Sequence, residues 1–251
     1  MIKKSFVISL CVWGLVLLAG TGCNSDEDGV SLPSPFVHFS FDTNTIPVPD
    51  EAGSGVTAGE DGQTGDYQST GGVDGTGAFL FGAALDINDE TGKLMDANLY
   101  GDNGYAISAW VKPEDTTDDA VYSIVSRFQG YSLQIQKGDF YFWVVSPDLN
   151  GDFTYKNETR VRVTDLSADG ANGKWWHLVG VANETSVLFY VNGELVDEID
   201  DVTFNRNMDE TQTTAIGDGF KGIIDEVLIY NEPLDAEQVK QLYEQKVVES
   251  E

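Results

Sequence analysis

Tyr141 and Trp143 stand two residues apart in the run Phe140-Tyr141-Phe142-Trp143. In an extended strand, successive side chains leave opposite faces. If Phe140 and Phe142 fill a core, Tyr141 and Trp143 therefore face away from it. The run just before it, residues 131–136, places Gln134 and Gln136 on the same outer face. Aromatic planes flanked by amides suit a sugar, whose C–H face stacks on the ring while its hydroxyls meet polar tips. The same alternation also allows loops to cover these aromatics as a second small core. Trp110 presents the same choice, since alternation points it away from Ile107 and Ala109.

Catalytic chemistry finds little support. A retaining glycosidase needs two carboxyls about 5–5.5 Å apart, one as nucleophile and one as acid. On one strand that asks for Glu-x-Asp-x-x-Glu. The nearest run, Glu198-Ile199-Asp200-Asp201-Val202-Thr203, carries Thr203 in the acid position. The two histidines, His38 and His177, fall in strand-like segments and suggest no Ser-His-Asp arrangement. His177, like Trp175, reads as core packing. Asp148-x-Asn150-x-Asp152 starts like a calcium loop, but Phe153 and Thr159 stand where that loop needs Gly and Glu. Zinc is disfavoured by two histidines and no free cysteine pair. A non-enzyme is expected.

Charge removes other classes. The chain has 251 residues, 14 Lys+Arg against 42 Asp+Glu, and a formal charge of −28. No Lys or Arg occurs over residues 23–92, where thirteen acids do. A phosphate backbone needs cationic side chains to displace its counterions, so nucleic acid is excluded as a partner. An anionic membrane face gains no electrostatic grip either.

The elements that must position these residues follow a period of two. Strands are expected at 36–41, 78–87, 105–112, 123–128, 131–136, 140–146, 159–163, 175–182, 187–191, 195–199, 215–217 and 222–230. Residues 50–77, with nine glycines, read as long irregular loops. Lys137-Gly138-Asp139 and Asn192-Gly193 read as hairpin turns. Only the C-terminal end looks helical, with Asp235 and Gln238 as a capping box and Val239, Leu242 and Tyr243 as an apolar face. Many short strands with Gly-rich turns indicate an all-β sandwich or barrel. In the last strand, alternation groups Ile223, Asp225, Val227 and Ile229 on one face and Ile224, Glu226, Leu228 and Tyr230 on the other. Asp225 on such a strand is costly to bury without a partner.

Four segments carry a family resemblance. They are "FSFD" at 39–42 with "GAFLFGAALDI" at 77–87, "YAISAWVKP" at 105–113, "GKWWHLVGVANETSVLFYVNGELV" at 173–196, and "AIGDGFKGIIDEVLIYNEPLDAEQVKQLY" at 215–243. In order and spacing these resemble the LamG-like (laminin G type) jelly-roll domains of the concanavalin A-like lectin/glucanase superfamily over residues 36–245, in a domain expected at 36–247. The resemblance implies an antiparallel jelly-roll β-sandwich with a short C-terminal helix. It also implies binding of a glycan, or alternatively of a cell-surface protein, through a concave sheet or its rim. The expected ligand-binding residues are Tyr141, Trp143, Gln134, Gln136 and Trp110. A structural Ca²⁺ is implied as well, held by Asp42, Asp225, a carbonyl near Gly82 and Asp50. The family's Asp-x-Ser-Gly-Asn-Gly loop is here Asp50-Glu51-Ala52-Gly53-Ser54-Gly55. The domain is expected to be monomeric.

Residues 1–22 read as a targeting segment. Lys3 and Lys4 precede an apolar run from Phe6 to Ala19, which ends in small residues before Cys23. This resembles a bacterial lipoprotein signal, with Cys23 lipidated. Asn24-Ser25-Asp26-Glu27-Asp28 resembles the surface-export tag of Bacteroidetes lipoproteins. Residues 23–35 then form an acidic linker closed by Pro33 and Pro35. The expected location is the outer membrane at the cell surface, with the membrane touched through the lipid alone.

Overall fold

Alternating apolar residues make strands here because one face of each can be buried against a second sheet. The computed structural model describes residues 30–60, 66–81, 84–89, 104–116, 118–127, 130–144, 146–147, 153–154, 160–162, 170–202 and 213–249. The leader 1–22, Cys23, the acidic run 24–28, Gly82, the turn containing Asp148, Asn150 and Asp152, and Thr203 lie outside the described residues.

The first strands are β1 (Val37–Phe39), β2 (Val48–Pro49), β3 (Thr57–Ala58), β4 (Asp66–Gln68), β5 (Ala78–Phe81) and β6 (Leu85–Asn88). Next come β7 (Gly104–Pro113), β8 (Val121–Arg127), β9 (Tyr131–Gln136), β10 (Asp139–Val144), β11 (Ser146–Pro147) and β12 (Phe153–Thr154). The chain ends with β13 (Arg160–Arg162), β14 (Trp176–Asn183), β15 (Val187–Val191), β16 (Glu194–Ile199), β17 (Thr214–Ile216), β18 (Gly222–Tyr230) and helix α1 (Ala236–Glu249).

Two eight-stranded antiparallel sheets result. The first runs β16-β15-β14-β7-β18-β5-β4, with β1 also paired to β18. The second runs β13-β10-β9-β8-β17-β6-β3-β2, and β11 and β12 form a separate ribbon. This is the antiparallel β-sandwich with a short C-terminal helix that the strand pattern and the resemblance imply. The core between the sheets holds Ile107, Ala109 and Val111 of β7 against Leu133, Ile135, Phe140 and Phe142 of β9 and β10. Phe142 packs on Gly180, where an added Cβ would lie 2.3 Å from the ring.

The first sheet is buried on its other face too. Ala106, Val179, Val181, Tyr190 and Tyr230 pack with Leu234, Val239 and Leu242 at the start of and along α1. That double cover explains why β7 is buried almost end to end, with no exposed position. The helix begins at the expected box: Gln238 donates its backbone N–H to Asp235 Oδ1 at 2.8 Å, and Asp235 donates its own to Gln238 Oε1 at 2.9 Å. Asn192 and Gly193 turn the β15–β16 hairpin with φ of 51° and 81°, the left-handed values that suit a tight hairpin.

Three expectations need correction. Residues 78–87 are two strands, not one: β5 pairs with β18 in the first sheet and β6 with β17 in the second. The chain crosses between sheets there, and a continuous apolar run does not reveal which sheet each half joins. Residues 50–77 contain β3 and β4, so they are not wholly irregular. The faces of β18 also do not alternate throughout. Its register against β7 shifts between Asp225 and Leu228, and Glu226 has φ of 49°. This β-bulge inserts one residue. Ile224, Val227 and Ile229 therefore share the inter-sheet core. Leu228 and Tyr230 pack beneath the helix.

Candidate functional site

The hairpin of β9 and β10 brings the aromatic and amide residues together on the outer face of the second sheet. Tyr141 pairs with Gln134 and Trp143 with Ser132 across the ladder. Their polar ends meet one another. Trp143 donates its indole N–H to Gln134 Oε1 at 2.9 Å, and Ser132 donates its hydroxyl to the same oxygen at 3.1 Å. Gln136 donates its amide to the Asp119 carbonyl at 3.2 Å. Tyr141 is 6% exposed and Gln134 4%, while Trp143 and Gln136 are half-buried. Trp110 does not join them. It lies on the first sheet, stacked against His177 at 5.0 Å and Tyr243 at 5.6 Å between ring centroids.

The residues tied by resemblance to Ca²⁺ are placed by β18 and the loop before β5. Asp225 is wholly buried. Its Oδ2 accepts the Val73 N–H at 2.9 Å and its Oδ1 the Glu226 N–H at 3.0 Å. Burial, with the nearby charges of Glu226 and Asp74, pushes its carboxyl up to about 8. Gly72 crowds against this carboxylate. A Cβ there would lie 2.5 Å from the Gly77 carbonyl, 2.8 Å from Asp225 Oδ2 and 3.1 Å from the Thr76 carbonyl. Three oxygens thus converge beside one glycine. Asp42 presents its carbonyl, which accepts the Tyr67 hydroxyl at 2.5 Å, while its side chain is exposed. Asp50 holds its own loop. Its carboxylate accepts the N–H of His38 at 2.7 Å, of Ala52 at 3.0 Å and of Ser54 at 2.5 Å, and the Ser54 hydroxyl at 2.8 Å. Among the described residues, no group of three or more His, Cys, Asp or Glu side chains could hold a metal. A cation here would rest on Asp225 and main-chain oxygens, a donor set that Ca²⁺ accepts.

A charged cluster that strand alternation did not reveal lies beside the bulge. His38 Nε2 is 2.7 Å from Glu226 Oε2, and Lys246 Nζ is 2.8 Å from both Glu226 Oε1 and Asp74 Oδ2. Burial alone would lower the His38 pKa, but the hydrogen bond and charge of Glu226, with Glu51 behind, outweigh it and raise it. Burial likewise works against the Glu226 carboxylate, yet His38 and Lys246 hold it below the usual range. Nearby, His177 is fully buried, and desolvation drives its pKa down to about 3. Its Nε2 is 2.8 Å from the Ser108 hydroxyl, and its Nδ1 has no hydrogen-bond partner among the described residues. The sequence signal for the cluster was faint. His38 and Glu226 are 188 positions apart, and it is the bulge that turns Glu226 toward the helix.

In the run nearest a catalytic pattern, Glu198 is exposed on β16, the edge strand of the first sheet, and Thr203 lies outside the described residues.

Residues 86–240 match the laminin G-type family described as the concanavalin A-like lectin/glucanases superfamily. The chain belongs to this family. No curated protein matches it. Among solved structures it is similar to the binding domain of Paraclostridial Mosquitocidal Protein 1, at 13% identity and a TM-score of 0.63, covering 84% of this chain and 52% of that one. It is similar to the botulinum neurotoxin serotype D binding domain, at 18% identity and a TM-score of 0.60, covering 86% and 51%. The serotype D ligand binding domain in complex with N-acetylneuraminic acid matches at 18% identity and a TM-score of 0.54, covering 86% and 52%. The chain thus spans about half the length of each of these proteins, and at these identities the likeness is one of fold.

Proposed function

We propose that the protein is a non-catalytic carbohydrate-binding module, anchored to the outer membrane by lipid at Cys23 and displayed at the cell surface. The observation that carries the reading is the lectin-type fold itself. Structures that share it are binding domains, and one of them holds N-acetylneuraminic acid. Two places in the chain offer sugar-binding chemistry: the Tyr141–Trp143 face of the second sheet, and the polar cluster beneath α1. A glycan array probed with the purified chain tests the reading, and retention of no glycan would sink it. Anchoring has its own test: Cys23→Ala should release the protein from membranes, because buried acyl methylenes supply about 0.8 kcal/mol each.

A second reading is a protein-binding or adhesive module. It is favoured by the burial of Tyr141 and Gln134, which leaves a narrower aromatic strip on the sheet than a sugar platform would offer.

A structural Ca²⁺ belongs to the same proposal. Asp225 Oδ2 with the Thr76 and Gly77 carbonyls would hold it, Asp42 lies next to that loop, and Gly82 lies outside the described residues. Bound there, the ion would neutralise a buried carboxylate and fix the loop that precedes β5.

A further inference from the structure

A cavity of about 440 Å³ lies between the outer face of the first sheet, helix α1 and the segment that leads into β1. Its volume is in the range of small-molecule sites. Pro33, Pro35, Leu228 and Leu242 give its lining an apolar part. Beside it stand His38, paired with Leu228 across β1 and β18, and Glu226 and Lys246, on the same strand and helix as Leu228 and Leu242. The charged atoms of these three hold each other in place through contacts of 2.7 and 2.8 Å. His177 lines the same space.

Charge narrows the class of occupant. An anion must approach a chain of formal charge −28. A cation needs an available carboxylate, and both Glu226 oxygens already face a partner, His38 on one side and Lys246 on the other. A hydroxyl suits such a lining, because a carboxylate oxygen that already faces one partner keeps a second lone pair to accept from it, and the hydroxyl brings no charge of its own. A ring with hydroxyls on its edge and C–H groups on its face suits a lining that is part polar and part apolar.

We infer that this cavity, and not the Tyr141–Trp143 face, is the chain's saccharide site, and that it takes a neutral mono- or disaccharide. The inference rests on the carbohydrate-binding reading and locates it. The cavity combines pre-fixed polar atoms with an apolar part of its lining, whereas the indole N–H of Trp143 is already engaged by Gln134.

The test is titration of the full chain with lactose, maltose, cellobiose and N-acetylglucosamine, with N-acetylneuraminic acid as the anionic comparator. Ser34 and Gln245 line the cavity and are exposed, so Ser34→Trp and Gln245→Trp obstruct it without removing core packing. At least one neutral sugar should bind, and both variants should weaken it by about tenfold or more with unchanged melting. Trp143→Ala should leave that affinity within about twofold. If Trp143→Ala weakens binding as much as the rim variants, or if the rim variants bind like wild type, the cavity assignment falls and the glycan reading stands. Tighter binding of N-acetylneuraminic acid than of every neutral sugar overturns the neutral class. If wild type binds none of the five, the cavity assignment falls, and the glycan array alone decides the glycan reading.

Discussion

Lys246 Nζ lies 2.8 Å from Glu226 Oε1, and this contact ties the C-terminal helix to the bulge of β18. The same nitrogen reaches Asp74 Oδ2 at 2.8 Å, so one helix side chain clamps both the bulge and the loop that contacts Asp225. The Glu226 side chain is only 6% exposed, so removing Lys246 leaves a buried carboxylate with His38 as its remaining charged partner. Breaking such pairs costs about 3–5 kcal/mol when both ends are buried, and less here because Lys246 is partly exposed. Lys246→Met should lower unfolding stability by about 2–3 kcal/mol in urea, with the Glu226→Gln/Lys246→Met double variant recovering part of it. Equal midpoints for wild type and Lys246→Met would show that the clamp contributes nothing.

Phe142 and Trp143 are neighbours in sequence on opposite faces of β10. Phe142 is fully buried against Gly180, whereas Trp143 is half-buried outside the sandwich. Phe142→Ala should cost about 3–5 kcal/mol through the cavity it leaves. Trp143→Ala should cost about 1–2 kcal/mol, for one hydrogen bond and partial burial. Denaturant melts of the two variants that coincide would place Trp143 in a core of its own.

His177 makes stability depend on pH. Its folded pKa is depressed to about 3, below the usual histidine value of 6.5. Between those values the unfolded chain binds a proton that the folded chain refuses. The stability is therefore fully present above about pH 6.5 and falls as pH drops toward about 3. His177→Gln should flatten the part of the urea-midpoint slope that lies between neutral pH and about pH 4. A slope identical to wild type would mean that His177 becomes charged inside the folded protein.

Most of the fold was legible because it rests on short-range signals. The period of two marked β7, β9, β10, β14 and β15. Asn192-Gly193 fixed one hairpin, and Asp235 with Gln238 fixed the helix start. What was not legible depends on distant partners. The bulge at Glu226 is invisible in a run that reads as continuous alternation, and it reassigns Val227 and Ile229 relative to Asp225. The split of residues 78–87 depends on which sheet each half joins. At the candidate site, alternation correctly set Tyr141 and Trp143 opposite Phe140 and Phe142, but it carried no information on burial. The His38–Glu226–Lys246 cluster needs three segments far apart in sequence, so only the folded chain assembles it.

Calcium should act as a ligand of the native state. A ligand bound only to that state adds about 2.7 kcal/mol at one hundred times its Kd. Melting should fall in EDTA and recover with Ca²⁺ but not with Mg²⁺, which prefers a smaller octahedral shell. Asp225→Asn should abolish the difference between the two conditions. Identical melts of wild type with and without EDTA would remove the ion from the account.

The central claim is that this lectin-type sandwich binds sugar without turning it over. It is tested most directly by titrating the purified chain with a panel of neutral and sialylated glycans while the glycans are followed for cleavage. The account predicts saturable binding, with Kd on the order of micromolar to millimolar, and no change in the glycan. No saturable binding to any glycan at millimolar concentration, or release of a shortened product, would contradict it.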